Sequence, residues 1–176
     1  MSPPSTIFAV TINHKIAPTE VREQAHLDDD RAAALTAALA TTTGCVSAIP
    51  VSTCNRTEIY LELLPGHDAG PVLTEAMAAV DADASIYFGE YGRLLVGADA
   101  VRHLFRIAAG LESMMIGEPQ IASQLKDAYR RARQHQEPGP GLLRAFPGAF
   151  RAGKRVRTRT KISKGAVSVA FAAVEL

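Results

Sequence analysis

Residues 46–63 read VSAIPVSTCNRTEIYLEL. Val46–Val51 and Thr57–Leu63 are rich in β-branched and apolar residues, and a short polar stretch holding Cys54 separates them. This pattern predicts two strands joined by a tight loop. Upstream, Ile7–Asn13 (IFAVTIN) reads as another strand. Asp28-Asp29-Asp30 opens an Ala- and Leu-rich helix to about Thr41, since carboxylates at a helix start complement its dipole. Downstream, Pro71–Val80 reads as a second helix and Ser85–Phe88 as a fourth strand. The order β-α-β-β-α-β predicts an α+β fold of the split βαβ, ferredoxin-like kind. That is a four-stranded antiparallel sheet with two helices on one face.

After Gly97 the pattern turns helical. Val101, Leu104, Phe105 and Ala108 keep the i, i+3, i+4, i+7 spacing. A further helix is expected from Glu118-Pro119, with Pro at its favoured first position and an apolar stripe of Ile121, Leu125, Ala128, Tyr129 and Ala132. A Pro/Gly break over 137–141 precedes a helical segment from Leu142 to about Lys161, then an apolar one from Gly165 to Leu176. The expected organisation is a βαββαβ half over 1–96 and a helical half over 97–164. Residues 165–176 read as the start of a helix whose continuation is missing, because no Gly C-cap closes it.

Composition narrows the class. At 47% hydrophobic and 21% charged, the chain can bury a real core. No run of 18 apolar residues predicts a membrane span, and the N-terminus lacks the basic-then-apolar pattern of a secretory signal. A cytoplasmic protein with both cysteines reduced is expected. Charge is segregated: residues 138–174 hold eight Lys or Arg and no Asp or Glu. Such a block suits either an anionic partner, nucleic acid being the usual one, or a solvated helix face. No aromatic residues interleave GKRVRTRTK (153–161), which favours phosphate contacts over base stacking.

Three places could carry chemistry. Cys54 lies among Ser52, Thr53, Asn55 and Arg56, polar and cationic surroundings that suit a thiolate nucleophile, or equally a small residue in a tight turn. Cys45, beside Val46, reads as core packing. His103 falls about 150° from the centre of the stripe around Val101 and Phe105, so it is expected on solvent or at the loop edge of the sheet. Gln120 and Gln124 share one helix face, and the helix start at Glu118-Pro119-Gln120 offers unpaired N–H groups to an anion. No metal-ligand spacing and no GxGxxG turn is present.

INHKIAPTEVRE (12–23), STCNRTEIY (52–60), HLFRIAAGLESMMIGEPQI (103–121) with Gln124, and GKRVRT (153–158) followed by AVSVAFAA (166–173) stand in that order. Through them the chain closely resembles the N-terminal part of the glutamyl-tRNA reductase family, which begins the five-carbon route to 5-aminolevulinate and tetrapyrroles. The resemblance implies that Cys54 attacks the ester of glutamyl-tRNA to give a thioester, which NADPH reduces to glutamate-1-semialdehyde. It implies that His103 is catalytic, moving a proton or orienting substrate. Thr53, Asn55 and Arg56 would contact the glutamyl group, Arg56 as a fork on a carboxylate. Ser113, Glu118, Pro119, Gln120 and Gln124 would complete the pocket. The NADPH site is expected in a domain beyond Leu176, followed by a dimerisation domain, with no cofactor-binding or metal-ligating residue in this chain. The implied partners are glutamyl-tRNA, those two domains and the aminomutase that takes the semialdehyde, with no membrane. Two departures, Arg159 where an acidic residue is usual and Pro147 inside a helical segment, fall outside the pocket. Two other readings stand beside this one: a stand-alone glutamyl-tRNA (thio)esterase, and a non-catalytic RNA-binding or regulatory module resting on 144–161.

Overall fold

Strands β1 (Thr6–Asn13), β2 (Cys45–Thr53), β3 (Arg56–Leu63) and β4 (Arg93–Val96) form a single sheet in the computed structural model, which describes residues 4–162. The order is β2-β3-β1-β4 and every pairing is antiparallel. This is the expected split βαβ topology. The segment expected over 165–176 lies outside the described residues.

β3 explains how the sheet serves two cores. Its side chains alternate faces, as an extended chain requires. Ile59, Leu61 and Leu63 pack against α1 (Thr19–Gln24), α2 (Asp29–Thr41), α3 (Ala69–Val80) and α4 (Ala82–Tyr91). On the other face Tyr60, with Ala9, Ile49 and Val51, packs against α5 (Ala98–Ala108), α6 (Gln120–His135) and α7 (Pro140–Arg159). Every residue of β3 is therefore buried, including Arg56, Glu58 and Glu62. The helical half is no appendage. It covers the second face of the same sheet.

Several expectations need correction. Ser85–Phe88 belongs to α4, and the fourth strand is Arg93–Val96, pairing Phe8 with Val96. The aromatic and β-branched residues of SIYF suggested a strand, but Asp81 accepts the Ala84 N–H at 3.0 Å and caps a helix. With α1 and α4 present, four helices rather than two cover the first face. Pro119 is the N-cap of α6, one place before its expected position. Pro147 does not stop α7, which continues to Arg159.

Glu62 holds α7 on the sheet. Its carboxylate accepts the Gly141 and Leu142 N–H groups at 3.0 and 2.9 Å, and the Ser5 hydroxyl at 2.6 Å. A buried anion thus meets the positive end of the helix, where no side chain of the helix's own caps it. A Cβ at Gly139 would lie 2.5 Å from Glu62 Oε2 and 2.7 Å from Val46 Cγ1, so a larger residue there would have to displace one or both side chains. Among the described residues, no helix is long and apolar enough to cross a membrane.

Candidate functional site

Thr53 pairs with Arg56, leaving Cys54 and Asn55 as a two-residue turn between β2 and β3. Tight hairpin turns of this length favour left-handed residues, yet neither Cys54 nor Asn55 has positive φ. Contacts from outside hold the turn instead. Arg22 Nη1 donates to the Cys54 carbonyl at 3.2 Å and to Asn55 Oδ1 at 3.1 Å. Its Nη2 donates to Thr19 Oγ1 at 2.9 Å. The His14 N–H donates to the Asn55 carbonyl at 3.1 Å. Burial, with the Arg56, Lys15 and Arg22 cations, holds the His14 imidazole below its ordinary pKa. Cys54 is exposed at the tip. Cys45 packs against the first core, and burial pushes its thiol up to about 11. The two thiols are thus separated by environment.

Thr53, Cys54, Asn55 and Arg56 line one cleft with Ser113, Glu118, Gln120 and Gln124, and with Met114 and Ile121. Ser113 is carried by a loop pinched at its base. The Gly117 N–H donates to the Gly110 carbonyl at 3.0 Å, and both glycines have left-handed φ, 79° and 87°. A Cβ on Gly110 would meet Gly117 Cα at 3.1 Å. The loop delivers the chain to α6, whose first turn has no side-chain cap. Its first residues, Gln120 and Ile121, line the cleft, and no side chain among the described residues caps their N–H groups. The cleft therefore combines a thiol, a guanidinium, a carboxylate and a helix N-terminus. Pro119 shapes the start of α6 without lining the cleft.

Beneath the turn lies a buried polar network on the Tyr60 face of β3. Arg56 is 3% exposed; Nη1 donates to Glu58 Oε1 at 3.0 Å and Nη2 to the Glu112 carbonyl. Its other N–H groups have no partner among the described residues. Glu58 also meets His103 Nε2 at 3.0 Å, and accepts from Tyr60 at 2.8 Å and Thr11 at 3.2 Å. Burial alone would raise the Glu58 carboxyl. The hydrogen bond and charge of His103, then Arg56 and Tyr60, outweigh it and hold the carboxyl below its ordinary range. Tyr60 is pushed well up by burial and by Glu58.

His103 is thus not turned to solvent or to the loop edge. The buried stripe of α5 is Ala100, Leu104, Ile107 and Ala108, rotated toward His103 from the stripe assumed in the sequence. His103 does not line the Cys54 cleft. It lines a neighbouring cavity of about 360 Å³ with Thr11, Asn13, Lys15, Arg106 and Glu112, and reaches Arg56 only through Glu58.

Sequence reasoning gave no role to Glu58, Arg22 or Glu112. Alternation was the available signal for Glu58, since positions 56, 58 and 60 share one strand face. Arg22 stands in the 12–23 motif, but no spacing rule links it to a turn 32 residues away. Glu112 joins Lys15 Nζ at 2.5 Å and Arg106 Nε at 2.6 Å, tying the β1–α1 connection to the cleft loop.

The family model for the N-terminal domain of glutamyl-tRNA(Glu) reductase matches residues 10–160. A glutamyl-tRNA reductase of Marinobacter nauticus is 42% identical over 176 residues, covering 97% of this chain and 39% of that protein. One from Alkalilimnicola ehrlichii is 45% identical, covering 97% and 38%. The solved glutamyl-tRNA reductase from Methanopyrus kandleri superposes with a TM-score of 0.71 at 34% identity, over 96% of this chain and 38% of that one. The chain thus spans under two-fifths of the length of these relatives.

Proposed function

The chain belongs to the glutamyl-tRNA reductase family, through its N-terminal domain, and from this we propose that Cys54 captures the glutamyl group of glutamyl-tRNA as a thioester. The sulfur attacks the ester carbonyl, a C–S bond forms, and the ester C–O bond breaks. The ribose oxygen leaves with the tRNA and takes up the thiol proton. Covalent capture divides a difficult reduction into two easier steps.

The cleft supplies complementary charges for a glutamyl group. The N–H groups of Arg56 not committed to Glu58 and Glu112, with the open first turn of α6, suit the side-chain carboxylate. Glu118 suits the α-ammonium. Ser113, Thr53, Asn55, Gln120 and Gln124 are within the same cleft to orient the reacting carbonyl. A glutamine side chain would bring no charge to the Arg56 N–H groups that Glu58 and Glu112 leave free, which disfavours it. His103 stands one group behind Arg56, so its part is to position Arg56 through Glu58 rather than to touch substrate.

NADPH, the reductant implied by the family, does not fit the described residues. They form a sheet in which every neighbouring pair of strands is antiparallel, and no glycine-rich phosphate turn stands in the sequence. Reduction to glutamate-1-semialdehyde, and its handover to an aminomutase on the way to tetrapyrroles, belong in this proposal to regions of the relatives that this chain does not match. A cytoplasmic setting is part of the same proposal.

One observation carries the reading: an exposed thiol at a pinned hairpin tip faces a cleft holding a cation, a carboxylate and a helix start. Deacylation of glutamyl-tRNA by the 176-residue chain tests it. Cys54→Ser should slow deacylation by at least ~100-fold, while Cys45→Ser retains it. Equal rates in the Cys54→Ser variant and the parent would remove Cys54 from the reaction.

A further inference from the structure

α7 spans about 30 Å at 1.5 Å per residue. Its buried stripe is Leu142, Ala145, Phe146, Ala149 and Gly153. At about 100° per residue, Arg144, Arg151 and Arg155 fall within roughly 40° of one another, opposite that stripe. All three are exposed, as are Lys154, Arg159 and Lys161 beside them. No acidic residue occurs over 138–162.

What distinguishes this row is that it is uncompensated. On α5 and α6 the arginines are matched: Arg102 with Asp99, Arg106 with Glu112, Arg130 with Asp127, Arg131 with Asp29 and Arg133 with Glu137. None of the six outward cations of the α7 segment forms an ion pair among the described residues. Like charges aligned along one helix face repel each other, and a polyanion lying on that face relieves the repulsion.

The row is also aimed. Arg157 turns inward and donates to the Ala108 carbonyl at 2.7 Å. A Cβ on Gly153 would lie 2.1 Å from the same oxygen, so the two helices touch backbone to backbone there. Ala108 ends α5, and the chain goes directly into the Gly110–Gly117 loop whose Ser113 lines the Cys54 cleft. The basic ridge therefore ends beside the loop that closes the cleft.

We propose that the exposed face of α7, centred on Arg144, Arg151 and Arg155, binds the phosphate backbone of the RNA whose aminoacyl end enters the Cys54 cleft. This rests on the substrate being an aminoacyl ester of RNA. The contact is to phosphates, so it fixes register and approach without reading bases.

Binding of unacylated glutamate tRNA to the 176-residue chain, measured from 50 to 300 mM KCl, tests it, with two variants. One is R144E/R151E/R155E and the other R144Q/R151Q/R155Q, both checked for parental melting. Three lost phosphate contacts should flatten the log Kd against log salt slope by about 2 to 3. Affinity at low salt should fall by at least ~10-fold. Acylation of Cys54 by a small glutamate α-thioester should stay at the parental rate. Unchanged affinity and slope in either folded variant, or no tRNA binding by the parent, would overturn the proposal. Failure of the parent to be acylated by the thioester would instead count against the role of Cys54, so the two failures are told apart.

Discussion

Arg22 reaches from α1 to the nucleophile's turn and satisfies the Cys54 carbonyl and the Asn55 side chain together. Because no left-handed residue tightens that turn, these bonds set where the sulfur points. Arg22→Ala should slow acylation of Cys54 by glutamyl-tRNA about tenfold or more, roughly one charge-assisted hydrogen bond's worth. Alkylation by iodoacetamide should stay within about twofold, since Cys54 remains exposed. Added guanidinium should restore part of the loss, and Arg22→Lys should restore less, because one ammonium cannot span three acceptors as a planar fork does. Equal acylation rates in Arg22→Ala and the parent would contradict this role. Glu58 acts one layer deeper. Glu58→Ala leaves Arg56 buried and unpaired, at a cost of about 3–5 kcal/mol in urea unfolding, whereas Tyr60→Phe costs about 1 kcal/mol. The residues that line the cleft became legible as one set only through the family resemblance, because their polarity alone suits a tight turn or an ordinary helix start equally well. His103 was misplaced because the assumed stripe took Val101 and Phe105 as its centre, where Ala100 and Ile107 are the buried positions. Small residues such as Ala100 carry little hydrophobic signal in sequence and much of the packing in the fold.

At the scale of elements, β3 and α7 depend on each other through Glu62. The carboxylate is fully buried and accepts two backbone N–H groups from the first turn of α7. Glu62→Gln keeps the shape and removes the charge, so it should lower stability by about 1–2 kcal/mol. Faster amide exchange should be confined first to Gly141 and Leu142. Unchanged protection at those two amides would show that the cap is unimportant. The sequence displays 137–141 as a Pro/Gly break before a helix, but not the partner of that helix, because Glu62 lies some eighty residues earlier in the chain. α4 shows the opposite failure. SIYF has strand-like composition, while Asp81 and the following Ala-Asp-Ala carry a cap and a helix start; the local cap outweighs the β propensity of four residues. The topology was still legible because RLLV follows directly and supplies the strand that the order requires.

For the molecule as a whole, Glu112 joins the β1–α1 connection, α5 and the cleft loop. Burial alone would raise its carboxyl from 4.5, but Lys15 and Arg106 hold it at about 2. A carboxyl held low stabilises the fold above its unfolded value, and that contribution is lost as pH falls through the folded one. The stability difference between the parent and Glu112→Gln should therefore be full near pH 6, shrink below about pH 4.5 and vanish near pH 2. Because Lys15 and Arg106 are half exposed, salt should reduce it. A difference independent of pH would place the stabilisation elsewhere. The fold also bounds the chemistry. With glutamyl-tRNA and NADPH supplied, the 176-residue chain should yield thioester and free glutamate, and no semialdehyde. The most direct measurement is the intact mass of the chain after brief incubation with glutamyl-tRNA, followed by peptide mapping. The expected result is a mass increase of one glutamyl group, located on Cys54, labile to hydroxylamine and missing from Cys54→Ser. A chain that deacylates glutamyl-tRNA with no adduct on Cys54, or that carries the adduct on another residue, would contradict it.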